Sequence, residues 1–271
     1  MNGINHKMGL LTDEQRAQVV IGNVKHKTIP QILYKYREFD GFAESIFKNS
    51  SLFFSKPSDF NDPFDCRITD KGNYTSQEII DYLVGCGMPK QDAVTVALQN
   101  AANPNKMVST LERIRAEVFD CNGILCLSEC PDSILMWSYY SKSHSGFALG
   151  FDVLEDPPFF IMPLPIRYVR DYPAFRYLVE KEKLVERGMI SKSKFWKHEK
   201  EIRVCKRDGP GLYKFSKKCL AEVIFGCRTK DTDRNKIIKC LKDYGYNHVK
   251  VKRTVPSRTS YKLEIQDLTI A

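Results

Sequence analysis

Apolar and polar positions alternate along Ile32-Leu33-Tyr34-Lys35-Tyr36-Arg37. That period of two predicts a strand with Leu33, Lys35 and Arg37 on one face and Ile32, Tyr34 and Tyr36 on the other. The aromatic run Ser51-Leu52-Phe53-Phe54-Ser55, stopped by Lys56-Pro57, predicts a second strand. Ile124-Leu125-Cys126-Leu127-Ser128 is continuously apolar, as a strand buried on both faces requires. Gly146–Asp152, Ile166–Val169 and segments near Val249 and Tyr261 read as further strands, and Ala221–Gly226 is one more apolar run. Helical spacing appears over 12–20, with Thr12 as N-cap, and over 42–47, 78–84, 91–100, 107–121, 133–140, 172–187 and 231–244. Strands mixed with segregated helices predict an α+β architecture. The expected layout is an N-terminal extension over 1–30 and one globular domain over 31–271 with a mixed sheet core. A helical insertion is expected over 77–120.

The stretch Phe195-Trp196-Lys197-His198-Glu199-Lys200-Glu201-Ile202-Arg203-Val204 reads as a strand on which Glu199, Glu201 and Arg203 share one face. Two acids held side by side repel, so one is pushed toward a raised pKa unless a cation such as Arg203 lies between them. A site for general acid/base work, or for stabilising a cationic transition state, is built this way. A solvated edge strand of alternating charge has the same pattern.

Composition narrows the setting. No run of about 18 apolar residues predicts a membrane span, and the first residues lack the pattern of a secretory signal. Nine scattered cysteines suit reduced thiols, so the expected location is the cytoplasm. The net charge is +9, and half of the 42 Lys and Arg fall from Ser191 onward, which points to a polyanionic partner. Cys121, Cys126 and Cys130 miss the close spacing of a structural zinc site, and no metal is expected. The glycines form neither a phosphate loop nor a dinucleotide fingerprint.

Other candidates stand at strand ends or in turns: Arg37, Ser55, the Asn61-Asp62 turn and His144. Each also has a structural explanation, as an ion pair, a strand end, a turn cap and a satisfied loop histidine.

As a set, several motifs resemble one bacterial family of unknown function whose members recur near phage-defence and abortive-infection genes. They are Leu33–Arg37, Phe53–Pro57 leading to Phe60-Asn61-Asp62-Pro63-Phe64-Asp65, Met136-Trp137-Ser138-Tyr139-Tyr140, His144–Asp152 and Trp196–Arg203. The order of a strand arginine, a serine after an aromatic strand and a late Glu-x-Glu also resembles ADP-ribosyltransferases. That resemblance implies a split sheet and NAD as the bound cofactor, used by a toxin or anti-phage effector. Arg37 would hold the NAD phosphates, Ser55 would brace the ribose, and Tyr34, Phe54 or Tyr139 would stack on nicotinamide, with His144 nearby. Glu201 would be the catalytic acid and Glu199 its helper, while Asn61, Asp62, Trp137 and Arg203 would shape the acceptor site or the fold. The acceptor would be nucleic acid or protein, with an antitoxin or chaperone as a further partner. A metal-dependent nuclease using Asp62, Asp65, Glu199 and Glu201, and a non-catalytic RNA-binding or regulatory module, remain the alternatives.

Overall fold

The alternation over residues 32–37 is realised as strand β1 (Ile32–Arg37), in which Leu33, Tyr34 and Tyr36 are buried. In the computed structural model, which describes residues 12–102, 117–180 and 187–268, this strand lies within an eight-stranded mixed sheet. The chain adds β2 (Ser51–Phe54), β3 (Thr69–Asp70), β4 (Gly123–Ser128), β5 (Phe147–Asp152), β6 (Leu164–Pro165), β7 (Arg167–Val169) and β8 (Ala174–Phe175). It continues with β9 (Ser191–Ser193), β10 (Glu201–Lys206), β11 (Gly211–Lys214), β12 (Leu220–Phe225), β13 (Lys250–Pro256) and β14 (Leu263–Asp267).

The large sheet runs β14-β13-β12-β5-β1-β4-β10-β6. Strands β12 and β13 are parallel, and the helix Asp231–Asp243 is the crossover that such a pair needs. The molecule is thus a mixed α/β domain around one large mixed sheet. Strand β1 pairs β5 over six positions but meets β4 at the pair Tyr34↔Ser128. Lys35 bridges this seam, its Nζ donating to the Cys126 carbonyl at 3.1 Å. Burial there pulls the Lys35 amine below its ordinary pKa.

The two faces of the sheet differ. Leu33, Leu125, Leu127, Leu149, Phe151, Ile202, Val204, Val223 and Phe225 build the main core on one face. On the other, Tyr34, Tyr36, Trp137, Ala148 and Ile224 form one cluster, and Ile124 with Ile68, Phe119 and Met189 forms a second. Because Glu201 and Arg203 alternate with Ile202 and Val204, they face away from the main core.

Thr12 caps the helix Asp13–Lys25 through a capping box with Gln15, as its sequence position predicts. Residues 12–30, read as part of an extension, pack into the main core through Val20 and Ile29; residues 1–11 lie outside the described range. Helices Ser76–Gly85 and Lys90–Ala102 follow the expected ones, and most of the expected helix 107–121 lies outside the described residues.

Two expectations fail. Residues 172–180 are not helical: β8 pairs with β3 there, and residues 181–186 lie outside the described range. Residues Lys194–Glu199 are a 3-10 helix rather than the start of a strand, and β10 begins only at Glu201. Among the described residues, no helix is long and apolar enough to cross a membrane.

Candidate active site

The two glutamates converge through a turn. The 3-10 helix Lys194–Glu199 ends on Lys200 in the left-handed region (φ 43°), and the chain then enters β10 at Glu201. Ser128 Oγ donates to the Glu199 carbonyl at 2.6 Å, and the Glu201 N–H donates to Tyr168 Oη at 2.8 Å. These bonds fix the backbone on both sides of the turn. Both side chains are buried.

Lys192, on β9, draws the acids together. Its Nζ lies 2.5 Å from Glu199 Oε2, 3.0 Å from Glu201 Oε2 and 3.5 Å from Asp65 Oδ2. Arg203, fully buried, reaches Glu201 Oε1 through Nε at 2.7 Å and Asp65 Oδ2 through Nη2 at 2.6 Å. Its Nη1 donates to the Met189 carbonyl at 2.7 Å, and the Phe60 ring lies against the guanidinium. Tyr140 Oη donates to the remaining Glu199 oxygen at 2.5 Å, and Asn61 Nδ2 sits 3.4 Å from that hydroxyl.

Three carboxyls therefore share two cations. With all five ionised, the cluster would carry one excess negative charge in a buried setting, and Glu199 is where the excess is felt. Burial, reinforced by the Glu201 charge, lifts its pKa above the ordinary value despite Lys192. Burial acts on Glu201 in the same direction, but Arg203 and Lys192 overcome it and hold Glu201 well below the usual carboxylate range. The same acids raise Lys192 against the effect of its burial. The neighbouring Cys66 thiol is pushed up to about 12 by burial, so it is not a nucleophile at neutral pH.

Aromatic rings roof this cluster. Lys192 Nζ lies 5.2 Å from the Trp196 ring centroid, and Trp196, Tyr139 and His198 stand 5.9 to 6.4 Å from one another.

Of the residues expected at a site, Glu199, Glu201, Arg203 and Asn61 come together, with Tyr139 beside them. The others are engaged elsewhere. Arg37 pairs with Asp40 at 2.7 Å and stands opposite Phe147 in register, so it belongs to the main-core face rather than the Glu201 face. Phe54 is buried between Phe159 and Tyr213 and offers no open surface for stacking. Ser55 bridges Ile124 through its backbone. Tyr34 Oη donates to Glu222 at 2.9 Å, and Trp137 Nε1 donates to the Pro131 carbonyl at 2.8 Å. His144 Nε2 lies 3.0 Å from Ser138 Oγ, in a tight loop where Lys142, Ser143 and His144 all have positive φ. Asp62 accepts from the Phe64 N–H at 2.9 Å, the turn cap its sequence suggests.

Lys192, Tyr140 and Tyr168 were not singled out as site residues from the sequence. The available signal was a charge count: Asp65, Glu199 and Glu201 folded together need more positive charge than Arg203 supplies. Among the described residues, no group of three His, Cys, Asp or Glu is placed to hold a metal ion. Comparisons with family models, curated proteins and solved structures return no match to this chain.

Proposed function

We propose that this cluster performs glycosyl transfer from NAD, the chemistry of an ADP-ribosyltransferase, with Glu199 rather than Glu201 as the reacting carboxyl. The observation that carries the reading is that both buried glutamates share Lys192 but only Glu201 also holds Arg203, which pushes their pKa values apart, Glu199 up and Glu201 down, as in acid/base pairs. Nicotinamide leaves as a neutral molecule, so its departure needs no proton. The C1′–N bond breaks with its electrons passing to nicotinamide, and the acceptor's nucleophilic atom bonds to C1′. The acceptor's proton passes to Glu199, whose raised pKa makes it a stronger base than an ordinary carboxylate. Before that proton arrives, the ionised cluster bears one excess negative charge in a dry setting, which stabilises the oxocarbenium-like sugar. Glu201 acts as a positioning residue, held by Arg203 and holding Lys192 against Glu199.

Release of labelled nicotinamide from NAD by the native chain, lost in Glu199→Gln and retained in part by Glu199→Asp, is the expected result. Native turnover in a folded Glu199→Gln variant, or no release by the native chain, would overturn the reading. The close ion pairing of Asp65 and Glu201 with Arg203 and Lys192 favours a second reading, in which the cluster only secures the fold. In that case Glu199→Gln changes stability and nothing else.

A further inference from the structure

The segment Lys194-Phe195-Trp196-Lys197-His198-Glu199 is a 3-10 helix, and three residues per turn make positions i and i+3 eclipse. The sequence therefore sorts into three ridges. Trp196 and Glu199 form the inward ridge, Trp196 covering Lys192 and Glu199 joining the acid cluster. Lys194 and Lys197 form a second, exposed ridge, which Lys200 extends at the left-handed exit. Phe195 and His198 form the third; Phe195 is 81% exposed, and His198 accounts for one side of the ring cluster with Tyr139, itself 62% exposed.

We infer that this helix and Tyr139 form a binding platform for single-stranded nucleic acid. Exposed aromatic faces beside a row of cations are the two elements that sequence-tolerant single-strand binding combines: bases stack on rings and phosphates follow the positive charge. Lys194, Lys197 and Lys200 are exposed, and Lys194 Nζ lies 5.9 Å from the Phe195 ring centroid, so cation and ring stand side by side. Large exposed rings grouped together mark an interaction surface, and the lysines beside them favour a polyanionic partner. A duplex keeps its bases stacked inside and offers the rings nothing. The binding stands apart from the transfer reading above, because Glu199 lies on the inward ridge, bonded to Lys192 and Tyr140, and not on the exposed ridges.

The test is fluorescence anisotropy of labelled oligouridylate and oligothymidylate strands and of a duplex of equal length, without NAD, across a salt series. The single strands should bind more tightly than the duplex. Phe195→Ala and Tyr139→Ala, both at exposed positions and checked for folding by circular dichroism, should each weaken binding roughly five- to a hundredfold. Replacing Lys194, Lys197 and Lys200 together with Gln should flatten the slope of log affinity against log salt by about two, the share of three phosphate contacts on a single strand. Equal binding of duplex and single strand, native affinity in both aromatic variants, or an unchanged salt slope would each overturn the proposal. Because the assay contains no NAD, absent nicotinamide release would leave a positive binding result standing. Absent binding would remove the platform without touching the transfer reaction.

Discussion

Arg203 donates to both oxygens of Glu201, from Nε at 2.7 Å and from Nη2 at 3.2 Å, a fork between residues two apart on one face of β10. Guanidinium geometry matches carboxylate geometry in this arrangement, and the pair sits where water does not reach. Burial of both ions is costly, so what holds the pair is saturation of the guanidinium by Glu201, Asp65 and the Met189 carbonyl together.

Removal of one partner should therefore cost more than the pair itself contributes. Arg203→Met leaves Asp65, Glu199 and Glu201 sharing Lys192 alone, and should lower stability by about 3–5 kcal/mol in urea unfolding at neutral pH. The double variant Arg203→Met, Glu201→Gln removes the stranded charge as well and should recover part of that loss. A single-variant loss below about 1 kcal/mol would mean that the network carries little strain when broken.

Glu199 gives the fold a dependence on pH of definite sign. Its folded pKa lies above the ordinary 4.5, so between those values the native state holds a proton that the unfolded state has released. Its contribution is fully present below 4.5 and is lost as pH rises through the folded pKa. Glu201 has the opposite sign, stabilising above 4.5 and losing that contribution only at very low pH. In Glu199→Gln the first term disappears. The stability of this variant relative to the native chain should rise with pH above 4.5 and then level off at the folded pKa of Glu199. A difference that stays flat with pH would contradict the raised pKa.

Gly226 fixes the loop that carries His144. A Cβ at this position would come within 2.0 Å of the His144 carbonyl oxygen and 2.6 Å of its carbonyl carbon. Those are backbone atoms, and the loop is anchored by the Arg228 N–H donating to the same oxygen at 3.0 Å. Gly226→Ala should cost about 1–3 kcal/mol or more in thermal or urea unfolding. A neutral effect would show that residues 142–146 yield freely.

The strands that were legible are those whose pattern had one cause. β1, β4 and β5 bury apolar residues against a sheet, and alternation or a continuous apolar run follows directly from that. Glu199-x-Glu201 looked like such an alternation and was not. Lys200 adopts a left-handed conformation that non-glycine residues seldom take, which ends the 3-10 helix between the two acids before β10 begins. The pairing of Glu201 with Arg203 survived because both lie within β10, past the turn. Lys192 stayed hidden because its role depends on β9 lying parallel to β7, a contact distant in sequence. Residues 172–180 read as a helix from their composition, yet β8 is held by the backbone of β3 more than a hundred residues earlier.

Tyr140 tunes the reacting carboxyl. Its hydroxyl donates to Glu199 Oε1 and favours the ionised form, one of the influences opposing burial. The tyrosine itself is held above its ordinary pKa, by burial first and by the Glu199 charge second, so it stays a donor across the whole working range. Tyr140→Phe removes that donor and should raise the Glu199 pKa further. The plateau in the pH-dependent stability difference should move to higher pH, and a carbon-13 titration of the glutamate carboxyls should show a displacement in the same direction. If Glu199 is the base for acceptor attack, it must be ionised to work, and the acid limb of nicotinamide release moves up with it. A purely structural Tyr140 would lower stability while leaving that limb in place.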